Sequence, residues 1–117
     1  MKDEPINIMA DKEQLQRVLI NLTTNAIESI PETRMGRIEI IIETQNDSVN
    51  LSISDNGKGI SEELQDKLFQ PYFTTKSGGT GLGLAISKNI IENMKGTLSF
   101  TSKINVGTTF TINFPVA

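Results

Sequence analysis

The sequence predicts an α+β fold: a two-layer α/β sandwich in which a mixed sheet of about five strands is covered on one face by helices. Strand-like segments come in adjacent pairs, helical segments do not alternate strictly with them, and the longest periodic segment is a helix with one apolar stripe. The predicted order is β-α-β-β-α-loop-α-β-β.

The first strand is "PINIMA", residues 5–10. "DKEQLQRVLINLTTNAIESI" (Asp11 to Ile30) follows as a helix, because Leu15, Val18, Leu19, Leu22, Ala26 and Ile30 recur at intervals of three and four. Asp11 with Gln14 resembles a capping box, and Pro31 stops the helix. "RIEIIIET" (Arg37 to Thr44) and "VNLSISD" (Val49 to Asp55) are rich in β-branched residues and read as a hairpin turning at Asn46-Asp47-Ser48. Ser61 is expected to cap a short helix with Glu62 and Glu63 in its first turn. "FQPYFTTKSGGT" is a loop long enough to suggest function. A second long helix is predicted from Gly81 to Lys95, closed by Gly96. "TLSFTS" and "GTTFTINFPV" alternate as two last strands, turning near Asn105 to Gly107.

The 117 residues suffice for one domain with a substantial core. Hydrophobic residues at 37% and charged residues at 21% are ordinary for a globular chain. A net charge of −3 gives no encouragement to nucleic-acid binding. With no Cys there is no disulfide and no thiolate metal site. No apolar run is long enough to span a bilayer and no signal-peptide pattern opens the chain, so a cytoplasmic location without membrane contact is expected. There is also no His, which removes the commonest general base and any phosphohistidine acceptor within these residues.

Two glycine clusters, "SDNGKGISEEL" and "TKSGGTGLGLAIS", carry the chemistry. Neither is a P-loop, since Gly57-Lys58 is followed by Gly59 and position 52 is Ser. Gly79, Gly81 and Gly83 are misspaced for a dinucleotide fingerprint, and an EF-hand starting at Asp55 fails at Gly57. Asp55-Asn56-Gly57 alone is equally well read as a plain turn. Gly57 and Gly59 after an Asp at a strand end, however, would let a flat ligand lie against bare backbone while the carboxylate accepts from an amino group. The second cluster directly precedes a helix, where backbone N–H groups attract anions. Four glycines (Gly78, Gly79, Gly81, Gly83) exceed what a hinge or cap requires, which favours a phosphate. Asn21 and Asn25 share one helix face with Glu28 nearby. An isolated pair would be a solvated polar face, but an amide oxygen is also a suitable ligand for Mg²⁺. Phe69, Tyr72 and Phe73, half of the six aromatics, surround Pro71. They read partly as packing of the loop root and partly as a lid.

Together these segments resemble the catalytic ATP-binding domain of bacterial sensor histidine kinases, in the wider GHKL family shared with Hsp90, gyrase B and MutL. "NLTTNAIES" is similar to the N box, "DNGKG" to the first G box, "FQPYFTTK" to the F box, "GGTGLGL" to the second G box and "GTTFTINFP" to the closing strand motif, in family order across residues 6–116. The wording "PYFTTK…GTGLGLAISK" resembles the nitrogen-regulatory branch. The resemblance implies the Bergerat-type sandwich, ATP and Mg²⁺ as cofactors, and a set of site residues. Asn25 would coordinate Mg²⁺ with Asn21 near the phosphates. Asp55 would bind the adenine amino group, with Gly57 and Gly59 giving the base room and Thr108 at the same end. Lys76 would contact the γ-phosphate, and Gly79, Gly81, Leu82, Gly83 and Leu84 would wrap the phosphates.

Hydrolysing members of the wider family place a catalytic Glu where this chain has Asn21, so the resemblance favours transfer to a protein over hydrolysis. Glu28 and Ser29 stand where some histidine kinases carry a basic residue and an aromatic one, which leaves Lys76 as the candidate cation. Lys95 stands where a glycine is frequent and reads as neutral. The resemblance implies that residues 1–117 form a single, monomeric catalytic domain of a phosphotransferase. It would be a piece lacking the helical dimerisation domain that bears the phosphoacceptor His, with a response regulator served through that domain. Two alternatives stand beside it: an anti-sigma-type Ser/Thr kinase, and a nucleotide-binding domain without catalysis.

Overall fold

A computed structural model describes residues 11–70 and 83–116. The elements are α1 (Lys12–Ser29), β1 (Ile38–Gln45), β2 (Ser48–Asp55), α2 (Glu62–Gln65), α3 (Gly83–Asn93), β3 (Thr97–Lys103) and β4 (Gly107–Pro115). The expected strand at residues 5–10, and residues 71–82, which span most of the expected loop and the first two positions of the expected second helix, lie outside the described residues.

Among the described residues the sheet has four strands in the order β1-β2-β4-β3, and each pairing is antiparallel. The four described strands are all antiparallel rather than mixed, and they are the four expected after residue 11; the fifth expected strand falls outside the described residues. Two hairpins meet through β2 and β4, and antiparallel pairing follows because β2 runs towards the turn at Asp55 while β4 leaves it. In register, Val49 faces Phe114, Leu51 faces Ile112, Ile53 faces Phe110 and Asp55 faces Thr108. One sheet face is therefore an apolar stripe that ends in a carboxylate and a hydroxyl. The other face is polar. Ser54 Oγ lies 2.8 Å from Thr109 Oγ1, and Asn113 Nδ2 donates to Asn50 Oδ1 at 2.6 Å. Such one-sided alternation is what a sheet covered on a single face requires.

The two long helices cover the apolar face side by side, α1 over β2 and α3 over β3. Val18, Leu22 and Ala26 of α1, Ile91 of α3, and Leu98, Phe110, Ile112 and Phe114 of the sheet form the core. Asp11 caps α1 by accepting from Gln14 N at 3.1 Å. The Gln14 side chain instead accepts from Arg17 Nη1 at 3.3 Å. Ser61 occupies the N-cap of α2 but makes no side-chain capping bond, which departs from expectation: its backbone carbonyl takes Leu64 N and Gln65 N instead. At the loop root, Phe69 stacks edge-on against Phe100, with centroids 5.6 Å apart, and Lys88 Nζ sits 4.9 Å from the Phe69 centroid. The packing half of the aromatic expectation holds for Phe69; Tyr72 and Phe73 lie outside the described residues. No helix among the described residues is long and apolar enough to cross a membrane.

Candidate functional site

The site is organised along one stripe of α1. Asn21, Asn25 and Ser29 follow at four-residue steps, so they project from one side of the helix. From Asn21 to Ser29 the stripe runs roughly 12 Å, the length scale of a nucleoside triphosphate. Asn21 and Asn25 are both half-buried.

At the Asn21 end stands the start of α3. Asn21 Nδ2 donates to Ser87 Oγ at 3.1 Å, and Ser87 is buried. Gly83 lies against the same side chain, where an added Cβ would come within 2.7 Å of Asn21 Oδ1. The absence of a side chain there is what lets α3 begin beside Asn21. An open groove of about 370 Å³ between the helices is lined by Asn21, Thr24, Gly83, Ile86 and Ser87 among others. Leu84 is half-buried and packs against the core.

At the Ser29 end stands the turn after β2. Asp55 Oδ1 accepts from Gly57 N at 2.8 Å and from Thr108 N at 3.3 Å. Both bonds use Oδ1, and Oδ2 takes neither. Thr108 is buried, and its Oγ1 lies 2.7 Å from Ser102 Oγ, which accepts from Ile60 N at 2.8 Å. The contribution of Thr108 to Asp55 is thus its backbone N–H, while its hydroxyl is engaged with Ser102. A Cβ on Gly57 would collide with Ser29 Oγ and come within 2.7 Å of Ser29 O; one on Gly59, at φ +74°, would collide with Lys103 O. Both glycines are demanded by close backbone packing on protein neighbours, which is a different reason from the expected room for a base. Lys58 N donates to Ser29 O at 3.0 Å, and Asn105 N to Lys58 O at 2.8 Å, so the turn is sewn to α1 on one side and to the β3–β4 turn on the other.

The structure therefore brings Asn21 to Gly83, and Asp55 to Gly57 and Thr108, with Gly59 packed on Lys103 and α1 linking the two groups. Lys76, Gly79, Gly81 and Leu82 lie outside the described residues. Ser87 and Ser102 escaped the sequence reading, and Ser29 entered it only as a departure from the family pattern, not as part of the site. Ser29 had a findable signal, since it continues the step of Asn21 and Asn25. Ser87 also had one, as it sits one turn after Gly83 on the inward side of α3. Among the described residues no group of three or more His, Cys, Asp or Glu side chains could hold a metal. A divalent ion here would draw on amide oxygen and on phosphate oxygens, a donor set that suits Mg²⁺.

Residues 10–117 match the family described as histidine kinase-, DNA gyrase B-, and HSP90-like ATPase. The chain belongs to this family. Within this ATPase family, its relatives are sensor histidine kinases. It is 43% identical over 96% of its length to sporulation kinase A of Bacillus subtilis, and 44% identical over 93% to sensor histidine kinase ZraS of Escherichia coli K12. It spans 18% and 23% of those two proteins, so the matched domain is one part of larger kinases. Among solved structures, the nucleotide-free catalytic domain of histidine kinase ThkA matches with a TM-score of 0.79 at 41% identity, over 92% of this chain and 70% of that one. Full-length ShkA in complex with AMPPNP matches with a TM-score of 0.83 at 25% identity, over 97% of this chain and 24% of that one. An ATP-binding role in the manner of histidine kinases is thereby supported, and the anti-sigma-type alternative is not favoured.

Proposed function

We propose that this domain binds Mg·ATP and donates the γ-phosphoryl group to a histidine on a separate helical domain of a two-component sensor kinase, on the cytoplasmic side. The observation that carries the reading is the Asp55 carboxylate. Two backbone N–H groups hold it through Oδ1 at the polar end of the apolar sheet face, with Oδ2 outside those bonds. An adenine amino group can donate to Oδ2 while the ring lies against the 57–59 turn. The α1 stripe then runs from the base towards the phosphates, with Asn25 as the Mg²⁺ ligand and Asn21 beside the β- and γ-phosphates. Gly83 and Leu84 stand at the start of α3, and Gly79, Gly81 and Leu82 would complete the phosphate wrap, with Lys76 on the γ-phosphate. Mg²⁺, when bound, neutralises phosphate charge.

In the transfer, the bond between Pγ and its bridging oxygen to the β-phosphate breaks and ADP leaves with that electron pair. A ring nitrogen of the acceptor histidine forms the new N–P bond. Asn21, an amide, has no basicity with which to activate water, so the site presents the donor without promoting hydrolysis. The acceptor must come from elsewhere, because these 117 residues contain no His. A response regulator would receive the group through the helical domain.

Asp55→Asn tests the base contact. A hydrogen bond to a charged group contributes about 1.5–3 kcal/mol, so ATP and ADP should both bind on the order of tenfold more weakly or worse. Calorimetry that gives the wild-type ADP affinity for Asp55→Asn would remove Asp55 from the site.

A further inference from the structure

We infer that Arg34, in the irregular connection between α1 and β1, is a positioning residue for adenine recognition: it sets the orientation of the peptide that holds the Asp55 carboxylate. Arg34 Nη1 donates to two successive carbonyls of the turn, Asn56 O at 2.5 Å and Gly57 O at 2.9 Å. In a trans peptide the C=O and the next residue's N–H lie in one plane and point in opposite directions. The carbonyl of Asn56 and the N–H of Gly57 belong to one such plane. Arg34 grips its oxygen, and its N–H donates to Asp55 Oδ1 at 2.8 Å. The carbonyl of Gly57 and the N–H of Lys58 form the next plane. Arg34 grips that oxygen too, and the N–H donates to Ser29 O at 3.0 Å. One guanidinium nitrogen therefore fixes both planes from the side facing away from the carboxylate.

The neighbouring chain reinforces this clamp. Asn56 Oδ1 accepts from Arg37 N at 2.8 Å, Asn56 Nδ2 donates to Met35 O at 2.9 Å, and Asn56 N donates to Arg37 O at 3.2 Å. These contacts hold residue 56 but leave the rotation of the 56–57 peptide to Arg34. Without the guanidinium, that peptide can turn, Oδ1 loses its 2.8 Å donor, and the Asp55 carboxylate is no longer held in one orientation. The part of the effect that passes through Asp55 falls on the purine amino group, and it sets ATP apart from a purine without that group.

The inference rests on the proposed adenine contact of Asp55, and the test separates the two. ATP and purine riboside triphosphate, which lacks the 6-amino group, are titrated into wild type, Arg34→Met, Arg34→Lys and Asp55→Asn, with thermal melts confirming folding. Arg34→Met keeps the apolar stem and deletes the donors. It should bind ATP at least fivefold more weakly and the analogue within twofold of wild type. Arg34→Lys should regain part of the ATP loss. If Asp55→Asn discriminates between the two nucleotides but Arg34→Met weakens both equally or neither, Arg34 does not position the carboxylate. If Asp55→Asn fails to discriminate, the adenine contact itself is wrong and the inference falls with it.

Discussion

Lys95 shows how a single position can be misread from its chemistry and read correctly from its backbone. As a solvent-exposed lysine beside Gly96 it looks neutral, yet it stands at φ +63°. Lys95 N donates to Glu92 O at 3.0 Å and Gly96 N to Ile91 O at 2.9 Å, the paired bonds of a Schellman ending in which the left-handed residue is Lys95. Gly96 is glycine for another reason, since a Cβ there would come within 2.7 Å of Asn113 O. The left-handed conformation costs a residue with a Cβ about 1–2 kcal/mol, and glycine's greater unfolded-state freedom offsets about half of that. Lys95→Gly should therefore stabilise the domain by about 0.5–1 kcal/mol, a rise of roughly 2–5 °C in Tm. A melt showing an unchanged or lower Tm would contradict the strain argument. The residues of the site divide by the same principle. Asp55 was legible because a carboxylate closing an alternating strand before Gly57 breaks the apolar period. Arg34 was not, because it sits in an irregular stretch where no period constrains its direction.

The elements were largely legible because their signals are periodic. The apolar stripe of α1, the alternation of β2 and β4 and the turn at Asn105 all stand where the sequence puts them. The antiparallel direction within each hairpin was legible from its turn, but the β2–β4 pairing that joins the hairpins was not, since alternation within a strand carries no information about a distant partner. The apposition of α1 and α3 shows what the helices do for the site. Gly83 occupies the point where a side chain would press on Asn21 Oδ1. Asn21 is already committed to Ser87 at 3.1 Å, so it can yield only by breaking that bond. Gly83→Ala is expected to weaken ATP binding on the order of tenfold. If the loss acts through Asn21, the Asn21→Ala/Gly83→Ala double variant should bind no worse than Asn21→Ala alone, a strong departure from additivity. Additive losses in calorimetric titrations would show that Gly83 acts independently of Asn21.

At the scale of the whole molecule, the domain reads as a donor without an acceptor. It holds the candidate base and phosphate ends on one helix stripe, and its 117 residues supply no histidine. Incubated alone with γ-labelled ATP, it should neither label itself nor hydrolyse the nucleotide at more than a very slow rate. Adding the helical domain of the same kinase, with its histidine, should yield an acid-labile, alkali-stable phosphoamidate on that domain. An acid-stable phosphoester on the acceptor, or label on the domain itself, would overturn the histidine-kinase reading in favour of a Ser/Thr kinase.

The β2–β4 pairing also sets a schedule. Asp55 and Thr108, joined through Thr108 N at 3.3 Å, are 53 residues apart in the chain, and β4 is the last of the described strands. Synthesis proceeds from the N-terminus, so α1, the 55–59 turn and α3 all leave the ribosome before the strand that completes the carboxylate's setting. Long-range strand pairing of this kind is intrinsically slow to form. Among the described elements, the proposed adenine end is therefore completed last. With Asp55 holding the base as proposed, a nascent chain takes up nucleotide only after β4 has docked, and ligand binding then stabilises only molecules whose central strands have already met.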